Sequence, residues 1–123
     1  MFTIQIAAAD YSQCVQDVES GVADAVLTDA LILYGYAYDT TQYPGLAVEQ
    51  TQYGSMNQYG IGLPHGQVKA CEELIPIVES FITDGSWAKY FQIEFPWVVS
   101  GNPYWQQDYR PDVNAVPTDS YCE

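Results

Sequence analysis

Short apolar runs alternate with helical stripes along the first half of the chain. "TIQIAAAD", Thr3 to Asp10, reads as a short strand whose last residue serves as a helix N-cap. Tyr11, Cys14, Val15, Val18 and Val22 then recur at helical spacing. Gln13 stands three residues after Asp10 in a capping-box arrangement, and Gly21 ends the helix. "ADAVLTD", residues 23–29, is continuous enough in apolar character for a fully buried strand. A helix follows over "ALILYGYAYDTTQ", residues 30–42. "YPGL" turns the chain into a further strand, "LAVEQ", residues 46–50. The order β-α-β-α-β predicts a largely parallel sheet covered by helices, an α/β fold.

A polar linker, residues 51–58, leads to a short strand "YGIGLP", residues 59–64. In "QVKACEELIPIVESFITDG" the positions Val68, Cys71, Ile75, Val78 and Ile82 share one helical face. Pro76 inside that pattern predicts a kink or a division. Asp84-Gly85 ends the helix, and Ser86 is placed to cap a last one, "WAKYFQIEF", with Trp87, Tyr90 and Phe91 as its buried stripe. From Pro96 both periods vanish and four of the seven prolines occur. This segment reads as an extended tail, stapled onto a surface through Trp97, Tyr104, Trp105 and Tyr109.

Composition narrows the partners more than the fold. The chain has 123 residues, 48% hydrophobic and 15% aromatic with 11 Tyr, which is globular rather than disordered. Three Lys plus Arg against 16 Asp plus Glu leave a net charge of −13. That balance argues against nucleic acid and against anionic membrane surfaces. "MFTIQIAAAD" lacks the basic region and the longer apolar run of a signal peptide. Met1 is thus expected to open either a cytosolic protein or a chain whose upstream part is absent.

Little in the sequence announces catalysis. Cys14, Cys71 and Cys122 contain no CxxC pair, so no metal site is expected. Buried structural thiols are the reading for Cys14 and Cys71, with Cys122 exposed and reactive; a Cys71–Cys122 disulfide is the alternative. His65 lies in the turn "LPHGQ" and reads as solvent-exposed. Glu72-Glu73 reads as a solvated helix face. Tyr34, Tyr36, Tyr38 and Tyr90 read as core and rim rather than a sugar-stacking surface. The residue that asks for chemistry is Asp29. A carboxylate between an apolar strand and an apolar helix costs free energy unless a cation or a capping role meets it.

Four motifs in order, "YSQCVQDVESGVADAVLTDALILYGYA", "LAVEQ", "YGIGLPHGQ" and "ITDGSWAKYF", resemble the C-terminal half of the extracytoplasmic solute-binding proteins of family 3. These are the polar amino-acid receptors of ABC importers, and the glutamate/glutamine type is the most similar. The resemblance covers roughly residues 4–95 and leaves the tail uncovered. It implies a type II periplasmic-binding-protein-like fold, present only as its C-terminal part. Residues 1–58 would be part of lobe 2, and residues 59–95 the return hinge strand and lobe 1 helices. Residues 96–123 would form the Pro- and aromatic-rich tail.

The resemblance also implies a site. In that family the carboxylate ending the "DAVLTD" strand accepts the α-ammonium of a bound amino acid. Asp29 takes that role here, with Thr28 contributing a hydroxyl and Asp24 structural. The implied partners are a polar amino acid similar to glutamate or glutamine and an ABC permease, in an extracytoplasmic location, with no cofactor and no catalysis. The arginine that holds the ligand carboxylate in the family has no counterpart, because Arg110 falls in the uncovered tail. Apolar edges of such a half would be covered by a second copy, by a missing N-terminal half or by the tail. Three alternatives stay open: a ligand-sensing domain of a signalling protein; an enzyme on the same scaffold, of the dehydratase or transglycosylase-associated kind; and a half-domain that has lost the site and survives as an interaction module or an inert gene fragment.

Overall fold

Helices carry all the regular structure in the computed structural model, which describes residues 4–49, 51, 53–56 and 58–123. Seven helices and no strand occur among the described residues. The expected α/β sheet, and with it the periplasmic-binding-protein-like architecture, is therefore corrected. None of the four expected strands pairs with another (Thr3 and Gln50, at the ends of two of them, and linker residues Gln52 and Asn57 lie outside the described residues). The reason lies in where hydrogen bonds come from. A helix closes its bonds four residues away, whereas a strand is stabilised only by a ladder to another segment. Without that ladder the apolar side chains stay in solvent, Ile4 at 84%, Leu27 at 79% and Ile61 at 65% exposure. The chain divides into two compact units, Met1–Asn57 and Gln58–Glu123.

In the first unit, helix α1 spans Tyr11–Glu19 and helix α2 spans Ala30–Tyr38. Asp10 caps α1 as expected, its carboxylate accepting the Gln13 N–H at 2.9 Å. The reciprocal half of the capping box is absent, since the Gln13 amide donates to Asp17 at 2.8 Å instead. Gly21, at φ +75°, closes α1: its N–H bonds the Val18 carbonyl at 3.1 Å, and the Val22 N–H bonds Asp17 at 2.8 Å. That pair of bonds is the Schellman arrangement, and the left-handed backbone it needs suits glycine. Val15 of α1 is 1% exposed and Tyr43 is also buried. The Tyr36 hydroxyl shares a hydrogen bond of 2.8 Å with Ser12, and the Tyr36 ring meets Tyr43 edge-on at 5.4 Å. These contacts tie α2 and the turn after it to α1.

The second unit is built on helix α3, Val68–Thr83, which runs unbroken through Pro76. The expected division does not occur. Proline removes the bond to the carbonyl four residues back, that of Glu72, and Glu72 is exposed, so water can meet the orphaned oxygen. Helix α4, Ser86–Glu94, starts at Gly85 with φ +92°. The cap comes from Asp84, whose carboxylate accepts the Ser86 N–H at 2.8 Å, rather than from Ser86 as expected.

The tail is not extended. It folds into α5, Pro96–Gly101, α6, Trp105–Tyr109, and α7, Ala115–Asp119. Pro96 takes the first helical position, where its missing N–H costs nothing. Asn102 and Asp112 nucleate the turns before α6 and α7 by accepting the Tyr104 and Asn114 N–H groups, at 2.8 and 2.9 Å. Phe91 is the centre of the core, with ring centroids of Trp87, Phe95, Trp105 and Tyr109 at 5.0, 4.9, 5.2 and 5.6 Å. Trp105 and Tyr109 thus staple the tail as expected, while Tyr104 is exposed. Of the expected α4 stripe, Tyr90 lies outside the core and stacks on Phe81 at 6.0 Å.

Candidate functional site

Thr28 and Asp29 are both half-buried and occupy the turn entering α2. The backbone of Asp29, at φ −57° and ψ 132°, is not yet helical, but its carbonyl already accepts from Ile32 and Leu33 at 3.0 and 3.2 Å. Asp29 is therefore the N-cap residue by position. Its side chain makes no capping hydrogen bond, so the helix does not use the carboxylate in the way Asp10 is used by α1. Two other carboxylates of this unit have different surroundings. Asp24 is exposed, and Asp39 ends α2 and binds the Gln42 N–H at 3.0 Å.

Charge makes the site unusual. Residues 1–57 contain no lysine and no arginine; all three cations of the chain, Lys69, Lys89 and Arg110, belong to the second unit. The helix it precedes is apolar on every side, "ALILYGYAY", and none of its nine residues is fully buried. Thr28 and Asp29 thus put a hydroxyl-bearing and a carboxylate-bearing residue next to each other in the chain at the start of an apolar helix.

In the second unit an open groove is lined by Ile82, Gln106, Gln107, Arg110, Pro111, Asp112 and Val113. Arg110 donates from Nη2 to the Ile82 carbonyl at 3.2 Å, a structural use the sequence alone did not suggest. Asp112 accepts twice from Asn114. The remaining candidates are as expected: His65 is exposed in a turn, and Glu72 and Glu73 are exposed, the latter 3.7 Å from Lys69. No cluster of three or more His, Cys, Asp or Glu that could hold a metal occurs among the described residues.

The thiols differ from the first expectation. Cys71 and Cys122 form a disulfide across 51 residues, and Cys14 is free and half-buried. The signal was available in the sequence as the pairing of a helix-face cysteine with one at the chain end. Its decision required the fold of the tail, which brings the two Cα atoms to 5.5 Å.

No protein-family model and no solved structure matches the chain. Two curated proteins do. A glutamate-binding protein of Corynebacterium efficiens is 33% identical over 82 residues, which cover 65% of this chain and 28% of that protein. A glutamate-binding protein of Corynebacterium glutamicum is 33% identical over 84 residues, covering 64% and 28%. The chain spans about 28% of the length of these relatives, both of which are named as binding proteins rather than enzymes. No helix among the described residues is long and apolar enough to cross a membrane.

Proposed function

We propose that the chain is part of an amino-acid-binding receptor and that Asp29 is its contact to the ligand's α-ammonium, with the Thr28 hydroxyl beside it. The observation that carries this reading is the 33% identity to two glutamate-binding proteins over about two thirds of the chain. Glutamate or a similar polar amino acid is the ligand, and the receptor serves an ABC importer whose permease is its partner. A charge-assisted hydrogen bond from the ligand's ammonium to Asp29 contributes about 1.5–3 kcal/mol. The Cys71–Cys122 disulfide supports an extracytoplasmic location, since such bonds persist in oxidising compartments. Binding, without covalent chemistry, is the function proposed.

Thermal unfolding of the chain with a panel of amino acids tests the reading. A ligand that binds only the folded state raises the midpoint, by about 2.7 kcal/mol of stability at a hundredfold excess over Kd. Glutamate or glutamine is expected to raise it, and Asp29→Ala to remove the rise. A cooperative transition that no amino acid moves would overturn the proposal.

A further inference from the structure

We propose that the Cys71–Cys122 disulfide is the releasable fastening of a C-terminal strap, residues 111–123, that pins the entry segment of the second unit, residues 58–66. The bond fixes the segment after α7 to the first turn of α3. The strap touches the entry segment at both ends of that segment. The Asp119 carboxylate accepts from the Gln58 amide at 2.8 Å, and the main-chain oxygen of Glu123 accepts from the Gly66 N–H at 3.2 Å. The Gln58 bond is exposed, and exposed hydrogen bonds exchange readily with water. In between, Ile61 is exposed and no strand pairing holds the backbone. Beside the packing of α7 on α3, the covalent bond is the part of the fastening that a reductant can release.

The rest of the unit does not depend on the strap in the same way. Its aromatic core joins Trp87, Phe91, Phe95, Trp105 and Tyr109, all of which precede residue 111. Both cysteines are half-buried, within reach of a small thiol rather than sealed in that core. A dithiol reductant supplies the chemistry. One of its thiolates attacks the Cys122 sulfur, the S–S bond breaks, and Cys71 leaves as a thiolate that takes up a proton. The second thiol of the reductant then attacks the mixed disulfide, closes the reductant's own disulfide and frees Cys122 as a thiol. Two electrons pass to the protein sulfurs and the dithiol is oxidised by two. The redox state of this bond thus sets the freedom of the segment by which the chain enters its second unit.

Backbone ¹⁵N relaxation of the full chain, oxidised and in dithiothreitol, tests the strap. In the oxidised chain residues 58–66 and 115–123 are expected near the rigid order parameter of about 0.85, and in the reduced chain below about 0.6. The Gly66 amide is expected to exchange with solvent at least tenfold faster, while α4 stays rigid in both states. Cys122→Ser is expected to reproduce the reduced pattern without reductant; if that variant does not fold, reduction of the folded native chain still decides. Unchanged order in residues 58–66 and 115–123 on reduction overturns the proposal. So does simultaneous loss of order in α4, which would make the bond a general brace, and so does recovery of three free thiols from chain folded under air.

Discussion

Arg110 donates its guanidinium N–H to the backbone carbonyl of Ile82, 3.2 Å away and 28 residues earlier. Ile82 lies in the last turn of α3, where carbonyls lack helical partners and the helix dipole is negative. The last turn of α3 has no basic residue of its own. The tail supplies the missing cation.

Arg110→Ala is accordingly expected to destabilise the second unit by about 1 kcal/mol, the charged-bond value reduced by the exposure of the side chain. Urea unfolding followed by far-UV circular dichroism measures it, with an unchanged slope and a lower midpoint. Arg110→Lys keeps the charge and is expected to lose less.

Trp105 is 8% exposed and lies nearly parallel to Phe91, at 9° and 5.2 Å, with Trp87 stacked at 5.7 Å. Truncation of a buried tryptophan leaves a cavity and removes these ring contacts. Trp105→Ala is expected to cost about 3–5 kcal/mol, enough to detach the tail. Trp105→Phe retains a ring against Phe91 and is expected to cost less. Equilibrium denaturation of the two variants separates ring stacking from volume.

Asp84 titrates below its ordinary carboxylate value, first because the Ser86 hydroxyl and then because the Ser86 backbone N–H bond its charged form, with Ser80 adding a weaker bond. A carboxylate depressed in the folded state stabilises above its unfolded pKa, and that stability is lost as pH falls through the lower folded value. The start of α4 is thus expected to loosen only below the usual carboxylate range. An NMR titration of the Asp84 carboxyl carbon checks this, and Ser86→Ala is expected to move its midpoint upward.

Local structure was legible in the sequence where its bonds are local. Asp10, Gly21, Gly85 and the helical face of Val78 and Ile82 all announced themselves through spacing and chemistry. What failed depends on partners distant in the chain. Apolar runs such as "ADAVLTD" specify one side of a strand and say nothing of whether a ladder exists. The Pro-rich tail gave no period because its helices are only five or six residues long and start from prolines and Asx turns. Asp29 itself was legible as a carboxylate at a helix start. That its side chain does not cap α2 depended on rotamer and backbone angles that spacing does not encode.

The most direct measurement is an NMR titration of the ¹⁵N-labelled chain with glutamate and, separately, with glutarate, which carries both carboxylates but no ammonium. Glutamate is expected to shift the amides of Thr28, Asp29 and Ala30 in a saturable way, glutarate to leave them in place, and Asp29→Asn to abolish the response with α2 still folded. Equal shifts from the two compounds, or none at these residues, would contradict an ammonium contact at Asp29.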